Sequence, residues 1–226
     1  MIYLECQNCG QIEPDCNWII YQNKKECKYC HEKENYELWP SSEIRTLFET
    51  IKNHKDIYSL NYVLISSVFI STALELLLEK LIYIVAFEDQ LPEEIRHLIE
   101  LLLESNLGRE RRLKLFQKLG YDSFEGHSRE LGYKDFPNHW GQIVKIRNKI
   151  VHGKLEGEYE LPPNLVNITI NEAIEVFSKI HNIYNLETIR YKVTGGKYYE
   201  DQENLNGELL KLKRWKKMVL NNFDED

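Results

Sequence analysis

The spacing of apolar and polar positions predicts a chain that is mostly helical after residue 40. Apolar residues recur every three or four positions in segments that predict helices over residues 43–54, 58–87, 92–105, 111–119, 139–151, 169–184 and 205–220. The stretch from Ile57 to Leu74 carries no charge but contains several serines and one asparagine, and Glu75 follows it at once. This pattern favours a helix buried within a bundle over a membrane span.

Local signals set the expected limits of these elements. Residues 106–137 are rich in glycine and are expected to be largely irregular. Gly153 is expected to end the helix of residues 139–151, and Pro162-Pro163 to break the chain before the next one.

Short strands are expected at the two ends of the chain. The apolar runs at residues 2–4 and 18–21 suit the strands of a small ribbon, and Gly195-Gly196 between residues 189–194 and 197–199 is a two-residue hairpin signal. We therefore expect a mainly α fold with three units: a β ribbon over residues 1–38, a helical domain over residues 39–186, and a hairpin plus basic helix over residues 187–226.

Composition limits the function classes. The formal net charge of −7 and a sequence pI near 5.6 exclude an overall basic nucleic-acid-binding surface, so nucleic acid would need a local patch. The first residues lack a basic start followed by an apolar run, so a secretory signal is not expected and the protein is interpreted as cytoplasmic, without a membrane partner.

The five cysteines all lie within the first thirty residues, and four of them form two C-x-x-C pairs: Cys6, Cys9, Cys27 and Cys30. Two such turns can place four sulfurs around one tetrahedral cation, which is typical of zinc. Four protein ligands leave no open position for water, so we interpret the zinc as structural. Cys16 is left over and is expected to be a free thiol.

The segment from Arg147 to Gly153 carries the strongest candidate chemistry. It places an arginine and a histidine, Arg147 and His152, with four residues between them at the end of an amphipathic helix, and Asn148 directly follows the arginine. Histidine acts as an acid or base near neutral pH, and the arginine fork fits phosphate oxygens. An RNA 2′-OH beside a phosphate supplies an internal nucleophile, so this chemistry needs no catalytic metal.

These residues resemble the HEPN family, whose nuclease members carry an Arg and a His separated by four to six residues, often with Asn after the Arg. The resemblance covers roughly residues 43–186 and includes the order of helices and Trp140 before the motif. It implies a HEPN-like helical bundle, to which the zinc ribbon is an addition.

The resemblance also implies a homodimer. Five residues correspond to about 140° of helix rotation, so Arg147 and His152 on one helix do not readily face a single atom. The resemblance implies a dimer in which the motif helices of two copies face each other. A composite cleft between those helices would bring Arg147 and His152 to one RNA linkage. Some HEPN-like domains are inactive scaffolds, and that alternative stays open.

Supporting residues are expected around the motif. Glu75 and Glu79 lie four residues apart on the long second helix and could orient His152 or pair with Arg147, although pairing with lysines or with water remains an alternative. Two basic clusters are candidate RNA-binding surfaces, or else solvated helix faces; we select from them Arg109, Arg111, Arg112, Lys213, Arg214 and Lys216.

The function expected from these features is metal-independent endoribonuclease activity through 2′-OH attack, in a toxin or antiviral defence effector. Such an effector requires restraint by an antitoxin or another regulatory partner. The alternatives are a catalytically inactive HEPN-like scaffold, and a zinc-ribbon module that binds RNA or protein.

Overall fold

The computed structural model describes residues 2–21, 24–54, 56–57, 59–86, 93–104, 108–120, 122–153 and 161–193. The strands are β1 Tyr3–Cys6, β2 Ile12–Pro14, β3 Ile19–Tyr21, β4 Lys24–Glu26 and β5 Tyr36–Trp39. The α-helices are α1 Ser42–Lys52, α2 Leu60–Val85, α3 Glu93–Glu104, α4 Arg109–Leu119, α5 Phe124–Glu130, α6 Phe136–Val151 and α7 Pro163–Val193. The predicted fold class, mainly helical with a small amino-terminal antiparallel sheet, is confirmed.

The amino-terminal ribbon consists of two antiparallel sheets. One has the order β2-β1-β5, and the other is the β3-β4 hairpin. In the larger sheet Tyr3 lies opposite both Pro14 and Trp39, so the sheet extends one residue past the expected boundary at residue 38. Trp39 is buried against the helices, which makes this strand the junction between the two parts.

Helix α2 is the centre of the helical bundle. It packs against α1, α4, α6 and α7, which explains why its sequence is apolar on nearly all sides. The Ser59 side chain caps its start by accepting a hydrogen bond from the Tyr62 amide at 3.1 Å.

An aromatic cluster fixes α6 in the bundle. Trp140 and Phe136 are fully buried against Phe124 and Phe177, with ring centroids 5.1–6.2 Å apart. Burial of one such side chain contributes roughly 1.5–3 kcal/mol. The helix that carries the Arg147 motif is therefore held in one rotational setting.

The ribbon is attached to α7 by two asparagines. Asn182 accepts from the Ile12 amide at 2.7 Å and donates to the Ile12 carbonyl at 2.5 Å, and Asn185 donates to the Cys9 carbonyl at 2.7 Å. The amide side chains thus complete the backbone hydrogen bonding of the ribbon as a neighbouring strand would. Tyr3, Ile12 and Trp39 join the main hydrophobic core, so ribbon and bundle share that core.

Two expected elements differ from the structure. Residues 189–193 continue α7, so the expected first strand of the carboxy-terminal hairpin is wrong over those residues. The segment from Asn185 to Val193 has no glycine or proline to stop a helix, and strand propensity is only a weak preference. Residues 194–226, with the expected hairpin turn and last helix, lie outside the described residues.

Helix α5 lies inside the stretch that we expected to be irregular. It begins after Ser123, whose side chain caps it by accepting a hydrogen bond from the Gly126 amide at 2.9 Å. Among the described helices, none combines the length and apolar character needed to cross a membrane.

Candidate functional site

Four cysteine sulfurs converge at the tip of the ribbon. Cys6 Sγ lies 3.6 Å from Cys30 Sγ, Cys9 Sγ lies 3.6 Å from Cys27 Sγ, and all four sulfurs are within 4.8 Å of one another. A tetrahedral site with metal–sulfur bonds of about 2.3 Å has sulfurs about 3.8 Å apart. The cluster therefore fits a tetrahedral, thiolate-binding cation such as zinc.

The two halves of this cluster have the same backbone geometry. Gly10 N donates to Cys6 O at 2.7 Å, and His31 N donates to Cys27 O at 2.9 Å. Both residues adopt positive φ, 67° for Gly10 and 59° for His31, which a knuckle turn requires.

The fifth cysteine, Cys16, and the histidine next to Cys30, His31, lie outside the cluster. His31 Nδ1 lies 2.8 Å from Glu26 Oε1, so its ring is used in a contact with β4. Cys16 is an exposed free thiol beside Asn17.

The sulfurs differ in acidity. Burial raises the pKa of Cys6 and of Cys9, which favours protonated thiols unless a cation is bound. Burial also opposes ionisation of Cys30, but hydrogen bonds from the Asn8 side chain and the Glu32 backbone lower the pKa of that thiol to about 7. A bound cation supplies the positive charge that four thiolates need, so binding releases protons.

Arg147 lies at the junction of α6 and α2. Its Nη2 donates to Glu75 Oε1 at 2.8 Å and its Nη1 donates to Asn148 Oδ1 at 3.0 Å. The side chain is 29% exposed, so the guanidinium is held from two sides but still reaches solvent. Of the two carboxylates expected near the motif, Glu75 is the one that contacts Arg147.

A second arginine, Arg112, also contacts the Glu75 carboxylate. Arg112 Nη1 lies 3.2 Å from Glu75 Oε2, and its Nη2 lies 3.4 Å from Glu79 Oε2 and from the Leu103 carbonyl. Arg112 is only 9% exposed. The two oxygens of Glu75 are therefore divided between a buried arginine and the motif arginine.

His152 lies at the end of α6. Its backbone amide donates to Asn148 O at 3.1 Å, and Gly153 adopts φ 66° directly after it, so the expected glycine stop is confirmed. The imidazole is exposed, and within the described part of the chain no side chain bonds to it. Arg147 reaches Asn148, which lies one helical turn before His152.

The expected RNA-binding arginines are not displayed together. Arg109 lies over the Trp140 ring at 4.6 Å and bonds to Glu110 and to the Pro137 carbonyl, while Arg112 is buried in the ion pairs described above. Arg111 is exposed on α4. Lys213, Arg214 and Lys216 lie outside the described residues.

The charge pattern of α6 is a further feature of the site, and the sequence-based expectations did not include it. Residues 136–153 contain no Asp or Glu, although the chain has 36 acidic residues. This signal was present in the sequence but was obscured by the more numerous lysines and arginines of α4 and of residues 205–220.

Asp122, His127 and Glu130 form a second group of potential ligands, with ligand atoms within 4.8 Å of one another. His127 Nε2 lies 2.9 Å from the Tyr184 hydroxyl, and Asp122 Oδ1 accepts from the Ser123 amide at 2.6 Å. These bonds account for both residues as parts of the packing of α5 against α7.

Comparison of the chain with family models, curated proteins and solved structures found no match.

Proposed function

We propose that this protein is a metal-independent endoribonuclease of the HEPN type, with Arg147 and His152 as catalytic residues and Asn148 as their positioning neighbour. The observation that supports this most is the Arg147 guanidinium, which Glu75 and Asn148 hold at the surface of the helix that ends at His152. An oriented arginine and an exposed imidazole, both carried by the end of one helix, are the two donors that an RNA phosphate linkage requires.

The reaction is a transfer within the RNA. The His152 imidazole accepts the 2′-OH proton, the 2′ oxygen bonds to phosphorus, and the bond from phosphorus to the 5′ oxygen breaks. A protonated imidazole returns a proton to the leaving 5′ oxygen. Arg147 stabilises the charge on the phosphate oxygens, and the products end in a 2′,3′-cyclic phosphate and a 5′-OH.

A homodimer supplies the second imidazole in this proposal. The outward face of α2 carries an apolar ridge at four-residue spacing, formed by Leu60, Leu64, Val68, Thr72 and Leu76. Leu76 directly follows Glu75, so the ridge borders the Arg147 site. A second copy packed on the ridge would bury it and bring two motif helices together.

The cysteine cluster completes the proposal with one structural zinc. Four thiolates fill a tetrahedral shell, and Asn185 of α7 donates to the carbonyl of Cys9, one of the four cysteines. The metal then stabilises the ribbon and takes no part in RNA cleavage.

The test is cleavage of RNA in EDTA by wild type, His152→Ala, Arg147→Ala and the control His97→Ala, an exposed histidine on α3. We expect wild type and the control to cut RNA, both motif variants to lose at least 100-fold in rate, and matched DNA to stay intact because it lacks the 2′-OH. Cleavage by His152→Ala at the wild-type rate would overturn the proposal.

The inactive-scaffold alternative rests on the Glu75 carboxylate, which offsets the charge of Arg147. RNA binding by wild type without cleavage of several RNA classes would favour it. The restraining partner is a separate expectation: if expression is toxic and His152→Ala relieves the toxicity, an antitoxin or regulatory partner is required.

A further inference from the structure

The outward face of α6 is a polar, acid-free surface that runs to His152. At 100° per residue Gly141, Lys145, Asn148 and His152 lie within about 60° of one another, and this row is what we call the α6 track. Lys145, Asn148 and His152 are exposed. Gly141 lies about 16 Å and Lys145 about 10 Å from His152 along the helix axis.

A cavity of about 440 Å³ opens beside the Gly141 end of the track. Its lining includes Arg109, Glu125, Pro137, Asn138, Gln142 and Lys145. A Cβ atom placed on Gly141 would meet no atom within 4 Å, so the helix surface is open there. Trp140 and the Arg109 side chain stacked on it stabilise this part of the structure from beneath.

The charged side chains of the α6 track and of the cavity differ in their pairing. Among the charged lining residues, Arg109 is paired with Glu110, and Glu125 carries the opposite charge to Lys145, while Asn138 and Gln142 offer amide side chains. Lys145 lines the cavity one helical turn from Gly141 towards the motif, and the described residues give it no ion pair. This arrangement suits a neutral base in the cavity and a phosphate at Lys145.

We propose that the α6 track binds single-stranded RNA, with the cleaved linkage at His152, a neighbouring phosphate at Lys145 and an unpaired base in the cavity beside Gly141. The proposal rests on the proposed function and names its substrate class. A base enters the cavity only when it is free of a partner strand, so duplex RNA does not fit the track.

The first test compares steady-state cleavage by wild type, Gly141→Phe and Lys52→Phe on a single-stranded RNA. Phenylalanine at position 141 fills the cavity mouth, whereas phenylalanine at position 52 adds the same ring on the exposed surface of α1 and is the control. We expect Gly141→Phe to raise KM at least fivefold with kcat changed less than twofold, and Lys52→Phe to leave KM unchanged. Equal KM values for all three would overturn the track.

The second test measures the phosphate contact. Lys145→Gln is expected to raise KM and to reduce the slope of log binding constant against log salt by about 0.7, the value for one phosphate contact with a single strand. Lys52→Gln, on an exposed position of α1, is the control and should change neither quantity. An unchanged slope in Lys145→Gln would contradict the assignment.

Failure of the track is distinguishable from failure of the nuclease. If wild type cuts RNA and the Gly141 and Lys145 variants behave as wild type, the track is wrong and the nuclease stands. If wild type cuts no RNA, fluorescence anisotropy with the same RNA decides: binding weakened in Gly141→Phe supports the track, and unchanged binding overturns it. Duplex RNA of the same sequence is expected to bind at least tenfold more weakly, and equal binding would also overturn it.

Discussion

Glu75 contacts two arginines at once, and the placement of Arg147 depends on this sharing. The buried Arg112 holds one oxygen of the carboxylate and leaves the other for the motif arginine. A positive charge that is only 9% exposed fixes the carboxylate more firmly than solvent would, because the ion pairs are partly shielded from water. Arg112 is thus a positioning residue for Arg147 in this account.

Removal of the shared carboxylate tests this arrangement. Glu75→Gln is expected to lower kcat for RNA cleavage at least tenfold and to reduce the free energy of unfolding by about 2 kcal/mol, because both arginines lose their counter-charge. Glu79→Gln is the matched control: it contacts Arg112 alone and should cost about 1 kcal/mol or less, with kcat unchanged. Urea unfolding and initial rates measure both. Equal kcat losses in the two variants would contradict a specific role for Glu75.

His181 makes a pH-dependent contribution to the free energy of unfolding. Burial lowers the pKa of this histidine to about 4, so the imidazole stays neutral in the folded chain. The unfolded chain protonates it near 6.5, and the unfolded state therefore binds more protons between these two pH values. This contribution is complete above pH 6.5 and is lost as the pH falls towards 4, by about 3 kcal/mol in total.

Comparison of the free energy of unfolding between wild type and His181→Gln separates the contribution of His181 from that of the carboxylates, which titrate over the same pH range. We expect the wild-type free energy of unfolding to fall by about 2 kcal/mol more than that of the variant between pH 7 and pH 4.5. Equal losses in the two proteins, measured by urea unfolding at both pH values, would count against a neutral buried imidazole.

The arginines also show how far single residues were predictable from sequence. The sequence offered both Glu75 and Glu79 as possible partners of Arg147, and in the structure Glu75 contacts Arg147 whereas Glu79 contacts Arg112. The sequence could not separate Arg112 from Arg111, because which of two neighbouring arginines is buried depends on how α4 rotates against α2. The run of basic residues in α4 therefore predicted one RNA-binding surface, whereas the fold exposes Arg111 and buries Arg112.

At the scale of elements, the ribbon depends on its four-cysteine cluster. The ribbon core is small, consisting of Leu4, Cys6, Trp18 and Cys27, so two of its four buried members are metal ligands in the proposal. We propose that a core of that size needs a bound metal to fold stably. The hydrogen bonds of Asn182 and Asn185 attach this ribbon to α7, so in the proposal loss of the metal would also weaken that attachment.

Metal content tests this dependence directly. We expect wild type to contain one zinc ion per chain by elemental analysis and Cys27→Ser to contain less than a tenth of that amount, with a lower Tm. Cys16→Ser, which changes an exposed thiol outside the cluster, should keep both values. Full zinc content in Cys27→Ser would show that the four sulfurs do not form the site.

Elements were predictable where a pattern was long or a stop signal was strong. The limits of α2, α4 and the end of α6 came within two residues, because a continuous apolar pattern or a glycine defines them. The amino-terminal end of α7 and all of α5 were missed. Helix α7 begins at a proline, and α5 begins after the Ser123 cap. Each signal is a single residue, and such a residue starts a helix only where the surrounding packing supports one.

At the scale of the whole molecule, we propose that a second copy packs on the apolar ridge of α2. Leu60, Leu64 and Leu76 are exposed on a helix that is otherwise largely buried, as expected of a subunit interface. A second copy packed there would place Leu76 and the adjacent Glu75 near the two-fold axis. In the proposed assembly, the cleavage site is complete only between two copies.

Leu64→Glu is expected to convert the dimer to a monomer and to reduce RNA cleavage at least tenfold, because a charge at the ridge cannot be buried against a second copy. Leu101→Glu, at an exposed leucine on a different helix, α3, is the control and should remain dimeric and active. Light scattering after size exclusion gives the mass. A wild-type chain that is monomeric with and without RNA would contradict the composite site.

The most direct test of the central claim is the chemistry of the RNA ends made by the purified wild-type protein in EDTA, determined by mass spectrometry. Arg147 and His152 acting on the 2′-OH predict fragments with a 2′,3′-cyclic phosphate and a 5′-OH, and no such fragments from His152→Ala. Fragments ending in a 3′-OH, or cyclic-phosphate fragments from His152→Ala in wild-type yield, would contradict the account.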